Sequence, residues 1–157
     1  MTPDAGQIAG PRAVRGAAEG VIATAAMTAV LGAGQGLDAL SKPPPDQIVE
    51  AAAAKADTPP LPPPTKGIVV WLAHFAFGAA MGALFRLLRP NPRRPATEGV
   101  AFGAAVWLVS YQGLLPAARL FPPATRDDKR RQAVNLAAHV TYGLALGVQA
   151  ARARTSS

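Results

Sequence analysis

Residues 67–85 read Gly67-Ile-Val-Val-Trp-Leu-Ala-His-Phe-Ala-Phe-Gly-Ala-Ala-Met-Gly-Ala-Leu-Phe85, a run without a single charge. A helix needs roughly 20 predominantly apolar residues to cross about 30 Å of hydrocarbon, and this run is about that long. Strict alternation is missing, and the run exceeds a barrel strand. Backbone groups facing lipid must be satisfied within their own segment, which selects a helix. A helix of this length in water would carry a polar face, and this one has none.

Three further uncharged runs of roughly the same length flank it: Gly20–Leu37, Gly99–Ala118 and Gln132–Ala151. The expectation is an all-α integral membrane four-helix bundle, one membrane domain over residues 1–157, with helices at about 14–40, 67–88, 98–118 and 131–152. Arg12 and Arg15 ahead of the first run raise the question of a cleaved signal peptide. The run is longer than a signal h-region and matches the other three, so it reads as a retained helix.

The bulk numbers fit this pattern. The chain has 157 residues, of which 50% are hydrophobic and 16% charged, against roughly 25% charged in ordinary soluble domains. Mean hydropathy is only +0.17 because apolar blocks alternate with Pro- and Arg-rich connectors. The formal charge of +7 does not point to nucleic acid. Its Arg and Lys residues lie between and beyond the apolar runs, not along one face with aromatics between them. The absence of cysteine excludes disulfides, thiolate metal sites and thiol nucleophiles.

The connectors supply the stops and starts. Arg86 and Arg89 follow the second run, and Pro90, Pro92 and Pro95 end it. Thr97 and Glu98 read as N-cap and first-turn acid of the third helix. Asp127 and Asp128 lead into the fourth helix, and Arg152 and Arg154 close it. Trp71 and Tyr111 sit near block ends, where amphipathic rings favour the interface. The proline-rich connector 41–66 carries clusters at Pro43–Pro45 and Pro59–Pro64, and residues 46–57 between them read as a short surface helix. Basic residues are shared equally between the two sides. Long connectors weigh less in the positive-inside rule, which favours cytoplasmic termini.

An internal repeat organises the four runs. The second contains His74-Phe-Ala-Phe-Gly78-Ala-Ala-Met-Gly82, and the fourth His139-Val-Thr-Tyr-Gly143-Leu-Ala-Leu-Gly147. The first and third each open with Glu-Gly-Val, at Glu19–Val21 and Glu98–Val100, and later carry Gln-Gly-Leu, at Gln35–Leu37 and Gln112–Leu114. The shared order predicts two parallel repeats of a helical hairpin, related by a twofold along the membrane normal. Both histidines would then lie at one depth, about 10 Å along their helices.

Within each helix, His, Gly and Gly fall at i, i+4 and i+8, on one stripe. Small residues there let a neighbouring helix approach closely, so Gly78, Gly82, Gly143 and Gly147 are read as packing positions. His74, His139 and Asn135 form the candidate intramembrane polar site, since an ionisable residue inside the bilayer is a functional hypothesis by default. The first reading is structural: each neutral imidazole hydrogen-bonds a neighbouring helix through Thr24, Thr28, Ser110 or Tyr111. The second is a small transporter or proton-linked channel, because histidine titrates near neutral pH. A third is bis-histidine haem ligation in an electron carrier. Glu19 and Glu98 are read as interfacial acids favouring helix N-termini.

The helix count, the Lys42-Pro-Pro-Pro45 connector, the third helix ending towards Phe121-Pro-Pro123, and the His74/Phe77 and His139/Tyr142 pairs together resemble the YagU-like family of small bacterial inner-membrane proteins. This chain is shorter, with an abbreviated first connector. The resemblance implies an inner-membrane location and cytoplasmic termini, and no particular reaction.

No catalytic residues, metal ligands or cofactor are expected. The chain lacks a phosphate-binding glycine loop, a metalloprotease helix and a Ser-His-acid set. The expected partners are the lipid bilayer and either a second copy or a membrane complex, with no nucleic acid.

Overall fold

A computed structural model describes residues 5–38, 40, 44–123 and 125–155, with side chains from residue 9 onward. Residues 41–43, where the Lys42–Pro45 motif begins, lie outside the described residues, as do residues 39 and 124. Every regular element among the described residues is helical: α1 Ala5–Gly36, α2 Pro44–Lys55, α3 Pro63–Leu88, α4 Pro95–Trp107, a π-helical segment Leu108–Leu114, a last turn α5 Leu115–Ala117, and α6 Lys129–Thr155.

The boundaries differ from the sequence reading in instructive places. Helix α1 begins at Ala5, upstream of the expected residue 14, and runs through Pro11. It ends at Gly36, short of the expected residue 40, and Asp38 beyond it has a left-handed backbone. Helices α3 and α4 begin earlier than expected because Pro63 and Pro95 serve as first-turn residues, where the missing N–H has no helical acceptor to lose. Thr97 is therefore inside α4 and not its cap. Glu98 reaches back to accept the Arg94 N–H at 2.9 Å. Helix α6 starts at Lys129, where the Asp128 carboxylate accepts the Arg131 N–H at 3.0 Å in the manner of an N-cap.

The expected third helix of 98–118 is not a regular α-helix. Its second half widens into the π segment, which holds Ser110, Tyr111 and the Gln112–Leu114 motif. Both α2 and α5 end in paired reverse hydrogen bonds with a left-handed residue, Asp57 and Arg119 respectively.

Helices α1 and α3 pack closely and antiparallel, and so do α4 and α6, while α1 also lies against α6. Glycines make the approach close. A Cβ at Gly20 would run into the Gly78 carbonyl, and one at Gly82 into the backbone of Gly16 and Gly20. In the other pair, a Cβ at Gly99 would meet the Gly143 carbonyl and the Gly147 backbone. One at Gly143 would meet Gly99, and one at Gly147 would meet Pro95. Around these contacts Ala23, Met27, Leu31, Phe85, Ala138, Tyr142, Leu146 and Ala150 form the core. The Phe85 and Phe102 rings, 5.2 Å apart, join the two pairs.

Three helical stretches are long and apolar enough to cross a membrane: Ala9–Gly36, Pro63–Leu88 and Pro95–Ala117. Helix α6 is not among them. It has the longest series of buried residues, from Asn135 to Ala153. The polar side chains of Asn135 and His139 are in that series, whereas Leu136, Leu144 and Val148 are exposed.

Candidate functional site

The two histidines line one cavity of about 230 Å³. Its walls come from α1, α3, the π segment and α6. Pro44, Pro45, Ile48 and Val49 of α2 cover one side. The short helix in the connector is thus a wall of the cavity.

His74, half-buried on α3, has Nε2 3.2 Å from Thr28 Oγ1 on α1. The Thr28 hydroxyl gives its one proton to the Thr24 carbonyl at 2.8 Å. It therefore accepts from His74 Nε2–H, which leaves the lone pair of the neutral ring on Nδ1. His139 is in the opposite tautomer. Its Nδ1–H donates to the Asn135 carbonyl at 2.8 Å, one turn back in its own helix, so Nε2 carries the lone pair. One histidine ties two helices together, and the other does not.

The remaining polar groups of the cavity can be accounted for one by one. Thr24 donates to the Gly20 carbonyl at 2.7 Å and Ser110 to the Val106 carbonyl at 2.5 Å. Tyr142, one turn beyond His139, donates to the Gly78 carbonyl on α3 at 2.6 Å. Tyr111 donates to the Asp127 carboxylate. Asn135 is different. It is 2% exposed, and its amide lies beside the Tyr111 hydroxyl without completing a hydrogen bond: Nδ2 has no partner among the described residues. A buried donor of this kind costs about 1–3 kcal/mol when unpaired.

Gly78, Gly82, Gly143 and Gly147 all lie at helix contacts, with Thr24 Oγ1 occupying the space beside Gly78. Glu19 and Glu98 share a local motif but not an environment. Glu19 is buried in a bidentate ion pair with Arg86, at 2.6 and 2.7 Å, and receives Arg15 at 3.2 Å. The reading of Glu19 as an interfacial acid at a helix N-terminus is therefore corrected: it is buried well inside α1. Glu98 remains partly exposed and pairs with Arg89 at 2.7 Å. No group of three or more His, Cys, Asp or Glu among the described residues is arranged to hold a metal ion.

Sequence reasoning missed a second polar cluster next to the cavity. Asp127 accepts from both Tyr111 and Arg131, and the Arg131 guanidinium stacks 5.1 Å from the Phe121 ring centroid. The i, i+4 spacing of Asp127 and Arg131 was the available signal. Nothing local announced Tyr111 as their partner, since the π segment sets the direction in which it points.

A model described as a family of unknown function (DUF6789) matches residues 11–157. No curated protein and no solved structure matches the chain.

Proposed function

This chain belongs to the DUF6789 family, and from that premise we propose that it is an integral membrane protein whose helical interior binds a small, mostly apolar molecule without catalysing its reaction. The observation that carries this reading is the cavity of about 230 Å³ shared by His74, His139 and Asn135. Two imidazole lone pairs and one unpartnered amide N–H are the polar groups left over there. They suit a lipophilic molecule with a hydroxyl that can both donate and accept. The volume lies somewhat below the ~300–1,000 Å³ of pockets for drug-sized ligands, so the molecule is small.

The membrane part of the proposal rests on outward-facing side chains as well as helix length. Ile68, Trp71, Leu72, Leu108, Val109 and Leu114 are exposed, and soluble monomers rarely present contiguous apolar surface of this kind. The complete picture is a bundle of α1, α3, α4 with its π continuation, and α6, built as two parallel hairpin repeats. The correspondence of the glycine contacts in the two pairs supports it. A bacterial inner-membrane setting with cytoplasmic termini, implied by the YagU-like resemblance, belongs to the same proposal, as does association with a second copy or a membrane complex.

The purely structural role suits His74, which bridges α1 and α3, but leaves His139 unexplained. Catalysis is not proposed, because the Thr24, Ser110 and Tyr142 hydroxyls donate to backbone carbonyls. Thr28, within reach of His74, gives its proton to Thr24. Haem ligation is not carried forward either: His74 Nε2 is engaged by Thr28 and the cavity is small. Transport remains the second reading, favoured by the α2 cover, which would make the cavity a gated compartment.

Native mass spectrometry of the protein released from lipid, with extraction of any adduct, tests the binding reading. A small-molecule adduct that disappears in Asn135→Leu is the expected result. No adduct from any lipid extract, together with a raised melting temperature for Asn135→Leu, would argue for an empty packing defect. Flux into proteoliposomes that stops in His139→Gln would promote transport over static binding.

A further inference from the structure

Arg12 and Arg15 of α1, Arg86 of α3 and Arg154 of α6 converge on a cleft of about 390 Å³, with Pro90 and Asn91 of the α3–α4 turn on its wall. In sequence these arginines are scattered over the start, the middle and the end of the chain. The antiparallel packing of α1 against α3 and α6 collects them. Among the described residues one carboxylate faces them: Glu19 takes both bonds from Arg86 and one from Arg15. Arg154 donates to the Pro92 carbonyl at 2.8 Å, and Arg12 makes no ion pair among the described residues. The nearby Arg89 and Glu98 neutralise each other. Among the described residues the cleft therefore holds an excess of positive charge.

We propose that this cleft binds the phosphate group of an anionic phospholipid. Guanidinium forks match phosphate oxygens two at a time, and basic pockets between membrane helices are suited to acidic headgroups. Lipid is favoured as the source because the helix turns that carry these arginines also expose apolar side chains. Val14, next to Arg15 in the chain, and Leu87 and Leu88, which follow Arg86, are all exposed. The Glu19–Arg86 pair holds the floor in place, and Arg12, Arg15 and Arg154 supply the exposed donors. The proposal rests on the membrane reading but not on the occupant of the interior cavity.

The test uses nanodiscs of equal phosphatidylglycerol and phosphatidylcholine, with retained lipids counted by native mass spectrometry. The wild type should retain phosphatidylglycerol several-fold over phosphatidylcholine. Each arginine near an anionic headgroup is worth roughly a fivefold change in affinity, so R12Q/R15Q should lose most of the preference. The charge-matched K129Q/R130Q, at the opposite end of the bundle, should keep it. R12Q alone breaks no described ion pair and repeats the test should the double variant fail to fold. Equal retention of both lipids by the wild type, or equal loss in both double variants, would overturn the site. Stabilisation by inorganic phosphate in phosphatidylcholine-only discs, dependent on Arg12 and Arg15, would overturn the lipid source in favour of a soluble anion. Recovery of the protein from the aqueous phase without lipid would instead overturn the membrane reading, a result distinct from failure of the site alone.

Discussion

Arg86 donates through both Nε and Nη2 to the two carboxylate oxygens of Glu19, at 2.6 and 2.7 Å, across the α1–α3 contact. Their residues are 6% and 7% exposed, so each charge depends on the other. Removing one partner of a buried pair costs about 3–5 kcal/mol, while replacing both by apolar groups is far milder. Glu19→Gln should lower the melting temperature in detergent sharply, and a Glu19→Leu/Arg86→Met double variant should recover most of the loss. Superimposable curves for wild type and Glu19→Gln would show that the pair is not shielded.

Glycines in this chain differ in what a methyl group would meet. At Gly143 a Cβ would strike the carbonyl of Gly99, whereas at Gly32 nothing lies within 4 Å. Gly143→Ala should therefore destabilise the α4–α6 pair by at least ~1–3 kcal/mol. Gly32→Ala should stabilise α1 by up to roughly 1 kcal/mol through helix propensity. Thermal melts of the two variants, run side by side, should move in opposite directions.

The Thr28–His74 contact predicts a coupling that His139 lacks. Interhelical hydrogen bonds in membranes are worth ~0.6–2 kcal/mol. A double-mutant cycle of Thr28→Val with His74→Phe should return an interaction of that size. The same cycle with His139→Phe should be additive within the ~0.3–0.5 kcal/mol expected of independent sites. A sizeable Thr28–His139 coupling would contradict the pairing of Thr28 with His74 alone.

Asp127 satisfies two donors at once, Tyr111 and Arg131. Asp127→Ala strands a guanidinium as well as a phenol, and should cost more than Tyr111→Phe, which removes one hydrogen bond worth about 1 kcal/mol. Hydrogen exchange should also quicken through the π segment in Asp127→Ala. Equal stability of the two variants would remove this cluster as the anchor of the π turn.

What could be read from the chain was whatever depends on neighbours along it. A long uncharged run without strict alternation reads as a helix from its own length and pattern, and the His-x-x-aromatic-Gly-x-x-x-Gly spacing places its residues on one stripe whatever lies opposite. Helical architecture and the glycine contacts were legible for that reason. Identical motifs then met different surroundings. Glu19 faces Arg86, but the α6 residue as far beyond His139 as Arg86 is beyond His74 is Ala151, and Glu98 turns to Arg89 instead. His74 meets Thr28 across an interface, whereas the position matching Thr28, counted from Glu98 as Thr28 is from Glu19, is Trp107, which has no hydroxyl. The cavity and the arginine cleft arise where three or more helices meet, and their free energy resides in contacts between residues far apart in the chain. A local pattern states which face a side chain occupies, and only the packed bundle decides what stands against it.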